Sequence, residues 1–302
     1  MYNYYLLFIS FLICTNIQAQ TDTFHIKVVN IEALRQQDAT PGIKFENIDS
    51  ISLKQFNTES LSDLLSAESG VIIKNYGPGS LASSTIRGGN ANQTAVIWNG
   101  FNINNPMLGQ TDLSVIPEFF ADKISMQYGG GSAQWGSGAV GGAVLLNSAT
   151  FFNKGVDAEV NIGAGSYGWL RQSFKTNYSN NRWIFNLKAF NDYSSNNFRF
   201  QNSITLEKQF QKHARTQGQG VLSEIVYRIN KNGTLSIAAW LDKFNRQIPP
   251  VLNQTSDAKQ KDDNLRITSQ WRQQLPKGEL AVRAAWFNQD IYYSDSLKNI
   301  NA

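Results

Sequence analysis

From residue 156 onward, apolar and polar side chains alternate along long segments of the chain. In Arg182–Phe190, the side chains of Trp183, Phe185, Leu187 and Ala189 share one face, with Asn186 and Lys188 on the other. Leu235, Ile237, Ala239 and Leu241 alternate with Thr234, Ser236 and Asp242; Leu280, Val282, Ala284 and Trp286 alternate with Arg283 and Gln289. Successive side chains of a strand point to opposite faces, so each segment predicts a β-strand with one apolar and one polar face. Short turn signals occur at Ser179–Asn181, Lys231–Gly233 and Pro276–Gly278, and longer polar stretches at Ser194–Lys212 and Gln247–Asp262. Long strands joined alternately by short turns and long loops, with aromatic residues near their ends, form the pattern of a transmembrane β-barrel. A soluble β-sandwich of an exported protein competes with it. Strand length and loop asymmetry count against the sandwich.

Residues 43–150 have a mixed α/β texture. Ser60 and Asp63 are spaced as a capping box, Leu61, Leu64 and Leu65 share a helical face, and Gly70 is placed to stop the helix. Val71–Lys74, Ser84–Arg87, Lys123–Gln127 and Ala143–Leu146 predict strands, and Asn75–Ser80 a loop. Asn99-Gly100 between Thr94–Trp98 and Phe101–Ile103 predicts a two-residue hairpin turn.

Gln127–Ser148 is rich in glycine, and its Gly136-Ser-Gly138-Ala-Val-Gly141 spells GxGxxG. A dinucleotide site needs a helix after this motif, so that helix N-terminal N–H groups meet the pyrophosphate. Here Gly142-Ala-Val-Leu-Leu follows and reads as a strand. The glycines are instead expected to allow tight turns and close approach to another wall of protein.

Met1–Gln20 has no charged side chain and one apolar run, Leu6–Cys14, which suits a signal peptide over residues 1–19. Residues 20–42 are a polar tail with one β-favouring run, Phe24–Val29. That run serves either as a strand added to a partner's sheet or as the first strand of the next domain. The single cysteine, Cys14, falls in the leader, and the only histidines are His25 and His213. Disulfides, thiolate metal sites and histidine-based catalysis are thereby excluded. The net charge of +4 is spread along the chain without a basic cluster, so no nucleic acid is expected as a partner.

The combination Leu61–Leu65 with Gly70-Val71, Ile86-Arg87-Gly88, Asn99-Gly100, Ile116-Pro117, Lys123-Ile124, and Ser132–Gly136 through Gly141-Gly142 resembles the TonB-dependent outer-membrane receptors. The resemblance implies an α+β plug domain over 43–150, followed over 151–302 by about seven strands of an antiparallel transmembrane barrel, incomplete in this sequence. In that family the plug sits inside the barrel, so the glycine stretch would pack against neighbouring strands, with Arg87, Gly88, Gly100, Gly136, Gly141 and Gly142 as plug structural residues. The tail, through Asp22, Thr23, Phe24, Ile26 and Val28, resembles the segment that couples to the TonB-type inner-membrane protein.

Asn75, Gly77, Gly79, Leu81, Ser83, Ile86–Gly88 and Asn90-Ala91 match the spacing of the cobalamin-transporter subfamily. By that resemblance the ligand-binding apical loops map to Asn75–Ser83 and Asn102–Thr111. The candidates there are Asn75, Tyr76, Ser80, Ser83, Asn90, Asn102, Asn104, Asn105, Met107 and Gln110. Such groups suit a large neutral ligand offering amides and hydroxyls, with a ferric siderophore as the alternative. Outer-membrane lipid is the other expected partner. No cofactor or metal is expected; a calcium requirement is not legible. Tyr128-Gly-Gly130 replaces the family's usual Arg-Gly-Pro, which implies one plug-to-barrel ion pair fewer.

Two other readings predict different behaviour. A passive porin or adhesin would work without an energy source. An exported enzyme needs paired acids, and the only adjacent Asp pair, Asp262-Asp263, falls in a predicted loop beside lysines, where solvation explains it.

Overall fold

The computed structural model describes residues 43–301 apart from 78, 79, 253 and 299. The predicted leader 1–19 and tail 20–42, with Asp22, Thr23, Phe24, Ile26 and Val28, lie outside the described residues. In the N-terminal half the chain runs β1 (Lys44–Asn47), α1 (Ser50–Gln55), α2 (Leu61–Glu68), β2 (Ile72–Asn75), β3 (Ala82–Thr85), β4 (Thr94–Trp98), β5 (Phe101–Asn102), β6 (Lys123–Tyr128), α3 (Ser132–Trp135) and β7 (Gly142–Asn147). Five of these strands form one sheet in the order β1-β6-β7-β4-β5, and β2 and β3 pair separately.

Local chemistry explains these elements. The Ser60 hydroxyl accepts from the Asp63 N–H at 3.4 Å, and the Asp63 carboxylate accepts from the Ser60 N–H at 3.2 Å, completing the predicted capping box. Leu61, Leu64 and Leu65 then fall on one face and are fully buried, each worth about 1.5–3 kcal/mol of transfer free energy. Gly70 does not terminate the helix: Ser69, in extended conformation, is the cap. Gly70 instead lies against Tyr128, its N–H donating to the phenol oxygen at 3.2 Å. At the hairpin, Asn99 (φ 48°) and Gly100 (φ 87°) both take the left-handed conformation that the β4–β5 turn requires.

The alternating half forms an eight-stranded antiparallel sheet. Its seven long strands are β8 (Gly155–Gly165), β9 (Trp169–Ser179), β10 (Trp183–Ser194), β13 (Thr216–Asn230), β14 (Gly233–Gln247), β15 (Ala258–Leu275) and β16 (Gly278–Asp295), and the eighth is the short β17 (Ile300–Asn301). The remaining pair, β11 (Arg199–Gln201) and β12 (Lys208–Phe210), is a hairpin inside the loop 195–215. Three short turns, 180–182, 231–232 and 276–277, lie at one end of the sheet. At the other end the connections are 166–168, 195–215, 248–257 and 296–299, so the first and last of them break the expected long-loop rule. The described strands do not close: β8 and β17 stand at the two edges.

The two faces partition in the reverse of a water-soluble protein. Phe185, Leu187, Val221, Ile237, Leu241, Val282 and Trp286 are exposed, while Arg171, Lys188, Glu224, Asp242, Arg246, Asp262 and Arg266 are buried against the N-terminal half. An apolar outer face with charges inside is what lipid on one side and a polar interior on the other demand. The inner face is not purely polar. Phe120 of the N-terminal half meets Phe190 and Trp240 of the sheet edge-on at 5.4 and 5.5 Å, and Trp98 meets Trp240 at 5.3 Å. Such pairs contribute about 0.5–1.5 kcal/mol each beyond their buried area.

Candidate functional site

Two loops of the N-terminal half rise toward the long-loop end of the sheet. In the first, the Asn75 side chain accepts from the Gly77 N–H at 2.8 Å, the Ser80 N–H donates to the Gly77 carbonyl at 3.0 Å, and the Tyr76 N–H donates to the Leu81 carbonyl at 3.2 Å. Tyr76 projects from it, exposed. The second, 102–111, turns on Asn105, whose side chain accepts from the N–H groups of Met107 and Leu108 at 2.9 and 3.0 Å. Met107 is its most exposed large apolar residue, at 73%.

The predicted site residues divide into groups. Asn75 and Ser80 line a cavity of about 250 Å³ between the first loop and the sheet, together with Glu59, Arg171, Asp192 and Arg246. Asn105 and Gln110 line a second cavity of about 250 Å³ with Asp112, Asp242, Asp262 and Arg266. Two others are turned inward and engaged: Ser83 is buried within β3, and the Asn104 amide donates to the carbonyls of Thr94 and Gly109 and accepts from the Val96 N–H and the Thr111 hydroxyl. Asn102 accepts from the Asn104 N–H at 2.9 Å. Asn90 lies away from both cavities, its N–H donating to the Gln93 side chain at 3.0 Å.

The glycines work within the N-terminal half more than against the sheet. A Cβ on Gly141 would meet the carbonyls of Ile86 and Gln93 at 3.1 and 3.3 Å, and one on Gly142 would overlap the Gln127 carbonyl and come within 2.9 Å of Ile86. The wall they approach is therefore the domain's own arch around Ile86, not the barrel strands. Arg87 (φ 53°) and Gly88 (φ 74°) form the left-handed corner of that arch, and Gly136 (φ 91°) ends α3. Gly100 does face the sheet, its Cβ position lying 3.2 Å from the Arg283 guanidinium. The motif itself holds only the three-residue 3-10 turn Ser137–Ala139, and β7 follows Gly141 directly, so the segment after the motif is a strand and not an α-helix.

Sequence reasoning missed the groups that fasten the two halves together. Arg171 donates to the carbonyls of Thr58 and Glu59, both at 2.8 Å, and to Asp192 at 2.9 Å. Lys188 donates to the Phe120 carbonyl at 3.0 Å and to Asp122 at 2.8 Å, where Lys175 joins it at 2.7 Å. Arg246, which lines the first cavity, bridges Asp112 at 2.6 Å and Asp262 at 2.8 Å, which line the second. The ion pair thought lost with Tyr128-Gly-Gly130 is thus replaced by pairs of the opposite sense: sheet cations holding carboxylates and carbonyls of the N-terminal half. Asp262-Asp263 is also placed differently from expectation. It lies within β15, with Asp262 facing in toward Arg246 and Asp263 facing out toward Lys243 at 3.7 Å. The available signal was a polar or charged side chain at every second position on the face opposite the apolar one, as at Arg171, Ser173 and Lys175.

Two acids of the N-terminal half feel this interface strongly. Burial raises Asp122, but Lys188 and Lys175 outweigh it and hold the carboxyl at about 2. Burial pushes Glu118 up to about 8, and the same lysines offset that only in part. Its Oε2 atom is buried without a hydrogen-bond partner among the described residues. Burial, then the charge of Asp63, also raises Glu59.

Residues 26–143 match the model of the TonB-dependent receptor plug domain. A vitamin B12 transporter, BtuB, of Photobacterium profundum is 34% identical over 127 residues, which is 42% of this chain and 20% of that relative. The solved FrpB iron transporter from Neisseria meningitidis (F3-3 variant) superposes with a TM-score of 0.68 at 16% identity, over 85% of this chain and 42% of that one. The copper transporter OprC gives a TM-score of 0.65 at 14% identity, over 84% of this chain and 38% of that one. The chain thus spans about a fifth of the curated relative and about two fifths of the solved structures.

Proposed function

We propose that this chain, with its plug-domain match over residues 26–143 and its sheet folded like that of outer-membrane transporters, is part of a TonB-dependent outer-membrane receptor that binds a large neutral ligand, cobalamin, and imports it with energy from a TonB-type partner. The observation that carries the ligand class is the charge balance at the apical cavities. Arg171 and Arg246 face Glu59, Asp63 and Asp192 in one, and Arg266 faces Asp112, Asp242 and Asp262 in the other. Among the described residues, carboxylates outnumber cations in both cavities, and all three arginines are hydrogen-bonded. An anionic chelate would meet no net positive field there. The carboxamides of Asn75, Asn105 and Gln110 and the apolar tips Tyr76 and Met107 are suited to a neutral ligand presenting amides and a broad apolar face.

In this mechanism the ligand settles on the loops Asn75–Ser83 and Asn102–Thr111, and the tail with Asp22–Val29 becomes available on the periplasmic side. The partner adds a strand to that tail and pulls. Main-chain hydrogen bonds formed by strand addition need little side-chain specificity. The pull works against the anchors at Arg171, Lys188 and Arg246. No covalent chemistry is performed. The mechanism requires a closed cylinder, since open sheet edges in lipid cost several kcal/mol for each unpaired group.

The test uses the complete receptor in cells. Labelled cobalamin uptake should be abolished by deleting residues 22–29 and by collapsing the proton-motive force, and unlabelled ferric siderophore should not compete. Uptake that survives either treatment removes the energy coupling, and competition by the siderophore without any by cobalamin removes the ligand assignment.

A further inference from the structure

The outward face of the sheet is not evenly bulky. One register row crosses it as Val160, Phe174, Ala189, Val221 and Leu241 on β8, β9, β10, β13 and β14. Ala189 stands at its centre between larger side chains, with Val221 as its ladder partner. The result is a groove of about 530 Å³ in the lipid-facing surface, lined mainly by apolar groups. The outward row next to it, toward the long-loop end, changes character beyond Ile162 of β8: Gln172, Asn191, Gln219 and Lys243 stand in register on β9, β10, β13 and β14 and all four border the groove. Lys259 and Lys261 continue outward on the neighbouring β15, both exposed.

We propose that this groove is a specific site for one acyl chain of a phosphorylated glycolipid of the outer leaflet. The chain would lie along Phe174, Ala189, Val221 and Leu241, and the headgroup would sit at the polar row. Three observations select the occupant. The groove lies within an apolar surface that faces lipid, so hydrocarbon is the only filling that costs nothing in desolvation. Three adjacent carboxamides, each able to donate and accept, match sugar hydroxyls and amide-linked acyl groups better than a bare glycerol phosphate. Lys243 meets Asp263 loosely, at 3.7 Å, and Lys259 meets Asp257 at 3.4 Å; with the exposed Lys261 they supply positive charge where a sugar phosphate would stand. The polar row lies toward the long-loop end, which places it in the outer leaflet. The inference rests on the membrane location and not on which ligand is imported, so failure of the cobalamin assignment leaves it standing.

The experiment is native mass spectrometry of the complete receptor released from mixed detergent micelles containing lipid A and phosphatidylglycerol. The wild type should retain one lipid A at occupancy at least tenfold above A189W, in which an indole fills the groove. A284W, which places the same bulk on the outward face of β16, should retain lipid A as the wild type does. K243Q should lower lipid A retention severalfold while leaving retention of a dephosphorylated lipid A unchanged. The proposal is overturned if A189W and wild type retain lipid A equally, if A284W loses it as fully as A189W, or if phosphatidylglycerol is the lipid retained. Folding is checked by heat-modifiable electrophoretic migration, and equal folded fractions of A189W and A284W separate groove filling from misfolding.

Discussion

Asp122→Asn isolates the plug-to-barrel anchor with almost no change in shape. Asp122 accepts from Lys188 at 2.8 Å, Lys175 at 2.7 Å and the Ala149 N–H at 3.1 Å. The asparagine oxygen can still accept, but both cations lose their counter-charge, and Lys188 is only 1% exposed. Stranding one member of a buried ion pair costs about 3–5 kcal/mol. Proton linkage gives a smaller figure for the same carboxylate. Its pKa of about 2 lies below the ordinary value of 3.8, which corresponds to about 2 kcal/mol favouring the ionised, docked form. The two differ because protonation leaves a hydrogen-bonding carboxyl in place, whereas partner-removal values come from sites where nothing remains; about 2–3 kcal/mol is the reasoned value for Asn. Since the folded pKa is depressed, this stability is complete above pH 3.8 and is lost as the pH falls through 2. The assay is amide hydrogen exchange over Pro117–Tyr128 in the complete receptor at neutral pH. Docking loss of that size should speed exchange about 30- to 150-fold, at 1.4 kcal/mol per factor of ten. Adding Lys188→Met to the variant should recover part of the loss, because the stranded cation is then gone. Exchange altered less than threefold by Asp122→Asn, or a double variant that loses the full sum of the two single losses, would refute the anchor.

Glu118→Gln tests the opposite electrostatic sense: with its pKa raised from 4.5 to about 8, the wild-type acid makes the plug progressively less stable as pH rises from about 4.5 through 8, by on the order of 5 kcal/mol in all. Glutamine should flatten that decline in denaturant titrations at several pH values, and a wild type with no decline would contradict it. Gly142→Ala should destabilise the plug by about 1–3 kcal/mol, because its Cβ would overlap the Gln127 carbonyl, and urea midpoints of the complete receptor read this directly. Ser60→Ala removes the cap of α2 and should cost about 1 kcal/mol, measured in the same titration. An unchanged midpoint would mean that the capping box carries no stability.

The alternation in 182–190, 234–242 and 280–289 was sufficient by itself to predict the strands and their two-faced character, because a strand's period is set by its backbone. The Ser60–Asp63 cap and the Asn99-Gly100 turn were equally legible, since their chemistry is completed within four residues. What alternation left open was which face meets lipid and what the other face meets. Only the fold brought Arg171 to the carbonyls of Thr58 and Glu59, Lys188 to Asp122, and Arg246 to Asp112, over separations of 66 to 134 residues. The glycine stretch shows the same division. Its composition announced close packing, but that Gly141 and Gly142 approach Ile86, Gln93 and Gln127 was decided when β4, β6 and β7 paired. Local propensity acts through neighbouring atoms along the chain, whereas a buried charge takes its partner from whatever segment the fold delivers, and no pattern within one strand encodes that.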